Sequence, residues 1–341
     1  MQQIVVNHND AGQRADNFIM KALPALGPSL RQKYLRTRRI KRNGARLSPG
    51  DRLEEGDILQ FYIDDAFFEK PDPQEAWRSV RPQLQVIYED ENILIADKKA
   101  GMLVHADDSG DENTLINHIK AYLYQKGAWD PAEEHSFAPA LANRIDRNTS
   151  GLVMAAKNAE ALRILNEKIR QREIEKEYYC IIHGQMKPKD GRLDSYIERD
   201  LEKKRVYSGA RRGAKTRTAS TVYRTLAVSG ELSLLQCRLL TGRTHQIRAQ
   251  FAQAGHPLLG DGKYGKNSLD RLYGRKYQAL HSCKVRFSFS TDAGVLNYLR
   301  GRSFVSPMPD FVEQYFPDWG MGEYGRKKGH SAEKPERKNP C

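Results

Sequence analysis

Apolar positions near the start of the chain recur at helical spacing. Ala15, Phe18, Ile19, Ala22 and Leu23 fall on one stripe, which predicts an amphipathic helix ended by Pro24 and Gly27-Pro28. A second helix is expected from Ser29 as its N-cap, turning Leu30, Tyr34 and Leu35 inward. Asn43-Gly44 between two short runs predicts a hairpin, and residues 58–63 a strand. Residues 64–83 have no clear period and carry Pro71, Pro73 and Pro82. That composition predicts an extended linker and two modules free to move relative to one another.

Further along, strands are expected at residues 84–88, 93–97, 152–156, 177–183, 220–226, 232–240 and 280–288. Leu115, Ile116, Ile119 and Leu123 trace one helix, and residues 159–171 another, with Leu162, Leu165 and Ile169 on one face. Residues 311–316 predict a short helix with Trp319 nearby, and the basic, aperiodic stretch 199–217 an exposed loop. Runs of strands with few helices predict an α+β fold built on a mixed, largely antiparallel sheet. Strict βαβ alternation, a Gly-x-Gly-x-x-Gly turn and a Walker-type loop are missing. The layout predicts a small α/β module at 1–65, a linker at 66–83, a main domain at 84–301, an extension at 302–323 and a basic, disordered tail at 324–341.

Size and composition narrow the class. A chain of 341 residues with 39% hydrophobic and 29% charged content suits a soluble protein of two domains. No apolar run approaches the roughly 18 residues of a membrane span and no export signal opens the chain, so a cytoplasmic location and no membrane partner are expected. Cys180, Cys237, Cys283 and Cys341 lack Cys-x-x-Cys spacing, which predicts reduced thiols and no structural metal.

The net charge of +13 is unevenly spread. Basic residues gather at 31–46, at 203–217 and after residue 326, whereas 89–134 is rich in acids, a pattern that points to a polyanionic partner. Arg31, Lys33, Arg36, Arg38, Arg39, Lys41 and Arg42 follow one another with no acid among them, and an RNA-binding surface is expected there.

Three constellations carry candidate chemistry. Asn143-Arg144-Ile145-Asp146-Arg147-Asn148-Thr149-Ser150-Gly151 sets one carboxylate between two arginines, with a turn expected at 149–151 before the strand. Alone, such a carboxylate is more often a solvated ion pair than a catalyst. Lys176-Glu177-Tyr178-Tyr179 opens a strand in which Tyr179 is expected in the core and Tyr178, on the other face, beside a cleft. Thr241-Gly242-Arg243-Thr244-His245-Gln246-Ile247-Arg248 is expected to start a helix capped by Thr244, with Ile247, Phe251 and Ala254 inward and Arg243 and Arg248 near its start. His245 could serve as an acid-base group, although a lone histidine is more often structural. No Ser-His-Asp set and no second histidine at metal-ligand spacing accompany it, which argues against hydrolase and metalloenzyme chemistry.

These motifs in this order, closed by Gly260-Asp261-Gly262-Lys263-Tyr264-Gly265, resemble the RluA family of RNA pseudouridine synthases over residues 84–301. Residues 13–63 are similar to the small RNA-binding module named after ribosomal protein S-four, as in the RluC and RluD branch that acts on large-subunit ribosomal RNA. The resemblance implies that Asp146 is the catalytic aspartate, Tyr178 the active-site tyrosine and Arg248 the basic residue paired with the aspartate. Arg144 matches an arginine that fills the gap left by a flipped nucleotide, and Arg147, Arg243 and His245 join the expected RNA contacts. It implies a pseudouridine synthase fold, no cofactor and RNA as partner; no coiled-coil pattern or exposed apolar stripe appears, so no obligate protein partner and a monomer are expected. Two positions depart from the family pattern: Asn143 stands where a histidine is usual and Lys99 where a proline is usual. The alternatives are a non-catalytic RNA-binding factor in ribosome assembly and a synthase acting on transfer RNA.

Overall fold

The computed structural model describes residues 1–69, 76–107, 110–200, 202, 205–265 and 267–319. Expectations for residues 70–75, Lys203, Lys204, residues 320–323, the tail at 324–341 and Cys341 lie outside the described residues. The chain divides into two compact units, Met1–Glu175 with Val285–Val305, and Lys176–Lys284 with the chain from Ser306 on.

The first unit opens with β1 (Gln2–Val5), α1 (Ala15–Ala22), α2 (Pro28–Arg36), β2 (Ile40–Arg42), β3 (Ala45–Arg46) and β4 (Ile58–Phe61). The strands form a sheet in the order β1-β4-β2-β3 over a core of Phe18, Ile19, Leu35, Ile40, Leu59 and Phe61. Asn43 and Gly44 both take positive φ, 51° and 78°, the backbone that a two-residue hairpin of this hand demands. Helix α2 starts one residue earlier than expected, with Gly27 as N-cap and Pro28 at its first turn rather than Ser29 capping. Leu30 remains exposed instead of facing inward, because Leu35 and Tyr34 already fill that side.

The expected extended linker is instead folded at both described ends, as single turns at Asp65–Phe68 and Ala76–Ser79. Aromatic burial outweighs the proline-driven extension: Phe68 meets Phe61 edge-on, and Trp77 packs within 5.3 Å of both Tyr124 and Trp129. The N-terminal segment is also tied to the rest of its unit. Asn9 Nδ2 donates to Glu134, Ser136 Oγ to Asp10 Oδ1 (2.6 Å), and Arg163 Nη1 to the Ala11 carbonyl (2.6 Å).

The same unit continues with β5 (Gln85–Glu89), β6 (Ile93–Lys98), α3 (Leu115–Gln125), β7 (Ala140–Leu141), β8 (Ser150–Ala156) and α4 (Ala159–Arg170). β5, β6 and β8 pair antiparallel in that order, and β7 adds to β8. One face of these strands, Ile93, Ile95, Leu152 and Met154, packs on Ala161 and Leu165 of α4 and on Val285 and Phe287. Asn158 caps α4 through the Ala161 amide, and Thr114 caps α3 through that of Asn117.

β9 (Ile174–His183) carries the chain into the second unit, where β10 (Asp190–Asp200), β11 (Arg205–Gly209), β12 (Arg217–Ser229), β13 (Leu232–Leu239), α5 (Gln246–Gln253) and α6 (Asn267–Asp270) follow. The antiparallel order is β11-β10-β12-β13-β9. β14 (Leu280–Phe287) returns to the first unit, β15 (Ser303–Val305) pairs with it, and α7 (Asp310–Tyr315) lies where a short helix was expected.

The expected loop at 199–217 is the main departure, for the end of β10, all of β11 and the start of β12 fall within it. Their buried positions are small or apolar, Ser195, Ile197, Val206 and Ala219, and the charged ones face solvent. One solvated face of a strand hides its period when most of its residues are Arg, Lys, Ser and Gly. Cys180, Cys237 and Cys283 are buried free thiols. No helix among the described residues is long and apolar enough to cross a membrane.

Candidate active site

Asp146 sits in the loop between β7 and β8, half-buried, between buried Ile145 and exposed Arg147. Its carbonyl accepts the Thr149 amide at 3.1 Å, so the turn spans 146–149. Ser150 and Gly151, expected in that turn, instead open β8, with Gly151 at φ 106° paired to Lys98. Asn143 plays a structural part, for its Oδ1 accepts the Met154 amide at 2.8 Å and anchors the loop to the strand.

The group that fixes this loop is Lys98, which the sequence pattern did not single out. It ends β6 at 1% exposure, and its ammonium donates to the carbonyls of Lys99 (2.9 Å), Met102 (2.8 Å) and Arg147 (2.9 Å). Those three acceptors use all three ammonium hydrogens. Burial pulls the Lys98 pKa down to about 7, while the charges of Asp146 and Asp97 oppose the fall. Burial also raises the adjacent Asp97 to about 6, against the pull of Lys98. A second clasp joins the same segments, since the Gly101 amide donates to the Arg147 carbonyl (2.9 Å) and Arg147 Nε to the Gly101 carbonyl (3.1 Å). The only sequence signal for Lys98 is an Asp-Lys pair closing a strand that opens with four apolar residues.

Arg144 is exposed, and its charge, after burial, helps depress the pKa of His105 together with Lys120. Arg147, expected on RNA, spends part of its guanidinium on Gly101 and Asp111. On the N-terminal segment Lys33, Arg36, Arg38 and Arg39 are exposed, and Arg31 and Lys41 are half-buried. Arg39 lies 6.0 Å from the Tyr34 ring and Lys41 5.2 Å from that of Tyr62. Arg42 differs from its neighbours, because the hairpin brings it to Asp57 (2.7 Å) and Glu54 (3.2 Å), acids remote in sequence.

The remaining motif residues belong to the second unit. On β9, Tyr179 packs with Ile181, Leu234 and Phe311 and lies edge-on to Trp319, as its core role requires. Tyr178, on the alternate face, is 5% exposed. Helix α5 begins at Gln246 with His245, not Thr244, as its N-cap, in the left-handed conformation at φ 51°. Ile247 and Phe251 are buried as expected, whereas Ala254 is exposed because the helix has ended by then. Arg243 donates through Nε to the Thr218 carbonyl at 3.0 Å.

Arg248 is buried and held in two places by Asp261, Nε to Oδ2 at 2.7 Å and Nη2 to Oδ1 at 2.9 Å. This fork fixes the direction of the guanidinium. Burial alone would raise the Asp261 carboxyl, but Arg248 and the amides of Lys263 and Tyr264 outweigh it and hold the pKa below the usual range. Asp261 and Tyr264 thus give the Gly-Asp-x-x-Tyr-Gly motif a role that its residues alone left unassigned. No group of three or more His, Cys, Asp or Glu side chains placed to hold a metal occurs among the described residues.

Comparison with known proteins agrees with this arrangement of motifs. The family described as RNA pseudouridylate synthase matches residues 92–253. The Bacillus subtilis RNA pseudouridine synthase YhcT is 31% identical over 289 residues, 83% of this chain and 88% of its own. Ribosomal large subunit pseudouridine synthase C of Escherichia coli is 29% identical over 303 residues, 84% of this chain and 88% of its own. Among solved structures, human RNA Pseudouridylate Synthase Domain Containing 1 shares the fold, with a TM-score of 0.53 at 20% identity over 69% of this chain and 89% of its own. The chain belongs to the RNA pseudouridine synthases, enzymes that isomerise uridine within RNA.

Two expectations follow. Lys98→Met removes the ammonium donor from the Lys99 and Met102 carbonyls, at about 1–3 kcal/mol each, so urea unfolding should show a loss of about 2–6 kcal/mol. Asp261, with its pKa depressed on folding, contributes stability that is full above its unfolded pKa and is lost as pH falls through the folded value. Asp261→Asn should therefore destabilise the protein by about 3–5 kcal/mol at pH 7, where it strands a buried guanidinium, and by much less at pH 3, as read from thermal melts.

Proposed function

We propose that the enzyme converts uridines of large-subunit ribosomal RNA to pseudouridine, with Asp146 as the catalytic carboxylate acting on a flipped-out nucleotide. The observation that carries the catalytic assignment is the fixing of the Asp146 loop by Lys98, a buried cation at the cost of its hydration. Preorganisation of that kind suits a group that must meet a reacting atom. The ribosomal target is supported by the alignment, over most of both chains, with a relative named for the large ribosomal subunit.

The reaction breaks the bond from C1′ of the ribose to N1 of uracil, turns the base, and joins C1′ to C5. The proton on C5 leaves and N1 gains one, so atoms and electrons balance without redox change or hydrolysis. A base stacked in a helix is out of reach, and flipping it costs a few kcal/mol. In this proposal Asp146 starts the cleavage. Arg248 supports its negative charge. Tyr178 stacks on the uracil and accepts the C5 proton, and Arg144 occupies the space that the base vacates. The basic run from α2 into β2, with Arg31, Lys33, Arg36, Arg38, Arg39 and Lys41, binds phosphates farther along the RNA.

Asp146→Asn should abolish pseudouridine formation on a large-subunit ribosomal RNA transcript, read by mass spectrometry, while changing RNA affinity less than about threefold. Activity surviving in the purified variant sinks the assignment, and product on transfer RNA transcripts alone moves the target. Replacing Arg36 and Arg39 together by alanine should lower the slope of log affinity against log salt by about 1.4–1.8, two phosphate contacts at about 0.7–0.9 each. An unchanged slope in filter binding places the RNA elsewhere.

A further inference from the structure

We propose that Tyr264 is a positioning residue that joins β11 and the basic segment that follows it to the active-site arginine, so that the grip on RNA and the setting of Arg248 are one property. The inference rests on the reading of Arg248 as an active-site group.

Tyr264 meets both partners. The guanidinium carbon of Arg205, the first residue of β11, lies 5.0 Å from the centre of its ring, and that of Arg248 lies 5.1 Å from it. Its hydroxyl accepts the amide N–H of Val206 at 2.9 Å and shares a hydrogen bond with His245 Nδ1 at 2.8 Å. Its own amide donates at 3.1 Å to Asp261 Oδ1, an oxygen that also receives Arg248 Nη2. One side chain therefore touches β11, the helix cap and the buried ion pair.

A tyrosine placed only to fill space needs an apolar bed and one partner for its hydroxyl. Tyr264 has the bed, in Ile197, Val206, Ala219 and Ala249, and the Val206 amide would suffice as partner. Packing does not account for the two arginines at the ring, nor for His245 held left-handed at the start of α5 with its ring nitrogen on the hydroxyl. A non-glycine residue persists in that backbone region where its surroundings impose it, most often at functional sites. Ser208 Oγ adds a second tie from β11 to α5, donating to Gln253 Oε1 at 2.6 Å.

The segment from β11 to the start of β12 has the chemistry of an RNA contact. Arg205, Arg211, Arg212, Lys215 and Arg217 occur with no acid from residue 205 to 217, and the last four are exposed. Tyr207 stands out at 47% exposure, an aromatic face on which a base can stack. An RNA strand bound along this edge pulls on β11, whose first two residues are those fastened to Tyr264. The grip on the strand and the guanidinium of Arg248 are thereby linked through one ring.

The test uses the full-length protein and a transcript of large-subunit ribosomal RNA, with Tyr264→Phe, Tyr264→Leu, Arg205→Gln and the double variant Arg205→Gln/Tyr264→Leu, each checked for folding by thermal melt. Tyr264→Phe keeps the ring but loses the hydroxyl contacts, and KM should rise about fivefold or more, with kcat falling by a smaller factor. Tyr264→Leu should lower kcat by about tenfold or more as well. The double variant should match Tyr264→Leu within about twofold, because Arg205 then has no ring through which to act. Kinetics of Tyr264→Phe within about twofold of wild type, or single effects that simply multiply, overturn the proposal. Should the leucine variant fail to fold, the kinetics of Tyr264→Phe alone decide between these outcomes. Asp146→Asn separates the two readings: if it stays active, the site assignment fails, whereas an inactive Asp146→Asn beside wild-type behaviour of the Tyr264 variants removes the coupling alone.

Discussion

A lysine ammonium sealed from water must give its three hydrogens to protein oxygens or lose its charge. Lys98 gives them to the carbonyls of Lys99, Met102 and Arg147, and so binds the end of β6 to the residue that follows Asp146. The Asp146 loop depends on this one charge. A cation beneath it, Asn143 and the reciprocal bonds between Gly101 and Arg147 together frame it. Burial pulls the pKa of this ammonium down to about 7, against the charges of Asp146 and Asp97.

The second unit handles a buried charge in the opposite way. Arg248 is paired along its fork with Asp261, and the carboxylate takes further bonds from the amides of Lys263 and Tyr264. Both oxygens of the carboxylate are thereby used, the condition under which burying two ions is tolerable. What such a pair adds is direction: a guanidinium held in two places presents its remaining N–H groups along a fixed line. The aromatic ring of Tyr264 lies within cation–π distance of the same guanidinium and of Arg205, so the arrangement reaches β11 as well.

Charge on the surface follows another logic. The basic run of α2 and the hairpin after it is largely exposed, yet Arg42 within it serves Asp57 and Glu54. A count of basic residues thus overstates the surface by the member that folding pairs. Between residues 205 and 217 the count understated the structure, since a stretch that looked like loop is in good part strand. Its buried side needed only Val206 among five residues of β11, too short a signal for periodicity to show.

Most of the fold was legible in the chain because its long elements bury regular stripes. α1, α3, α4, β6, β8 and β13 all lie within a few residues of where apolar spacing puts them, and the Asn43-Gly44 hairpin follows from backbone geometry that few residue pairs allow. The family and its reaction were legible too, through an ordered set of motifs around Asp146, Tyr178 and Arg248. What only tertiary structure decided is how isolated polar residues are partnered. Lys98 as clamp, Asp261 as the anchor of Arg248, His245 as a left-handed cap and Tyr264 against two arginines each depend on groups brought from other elements. Periodicity records which side of an element is buried. A single buried charge has no period, and its partner is fixed only when the chain has folded.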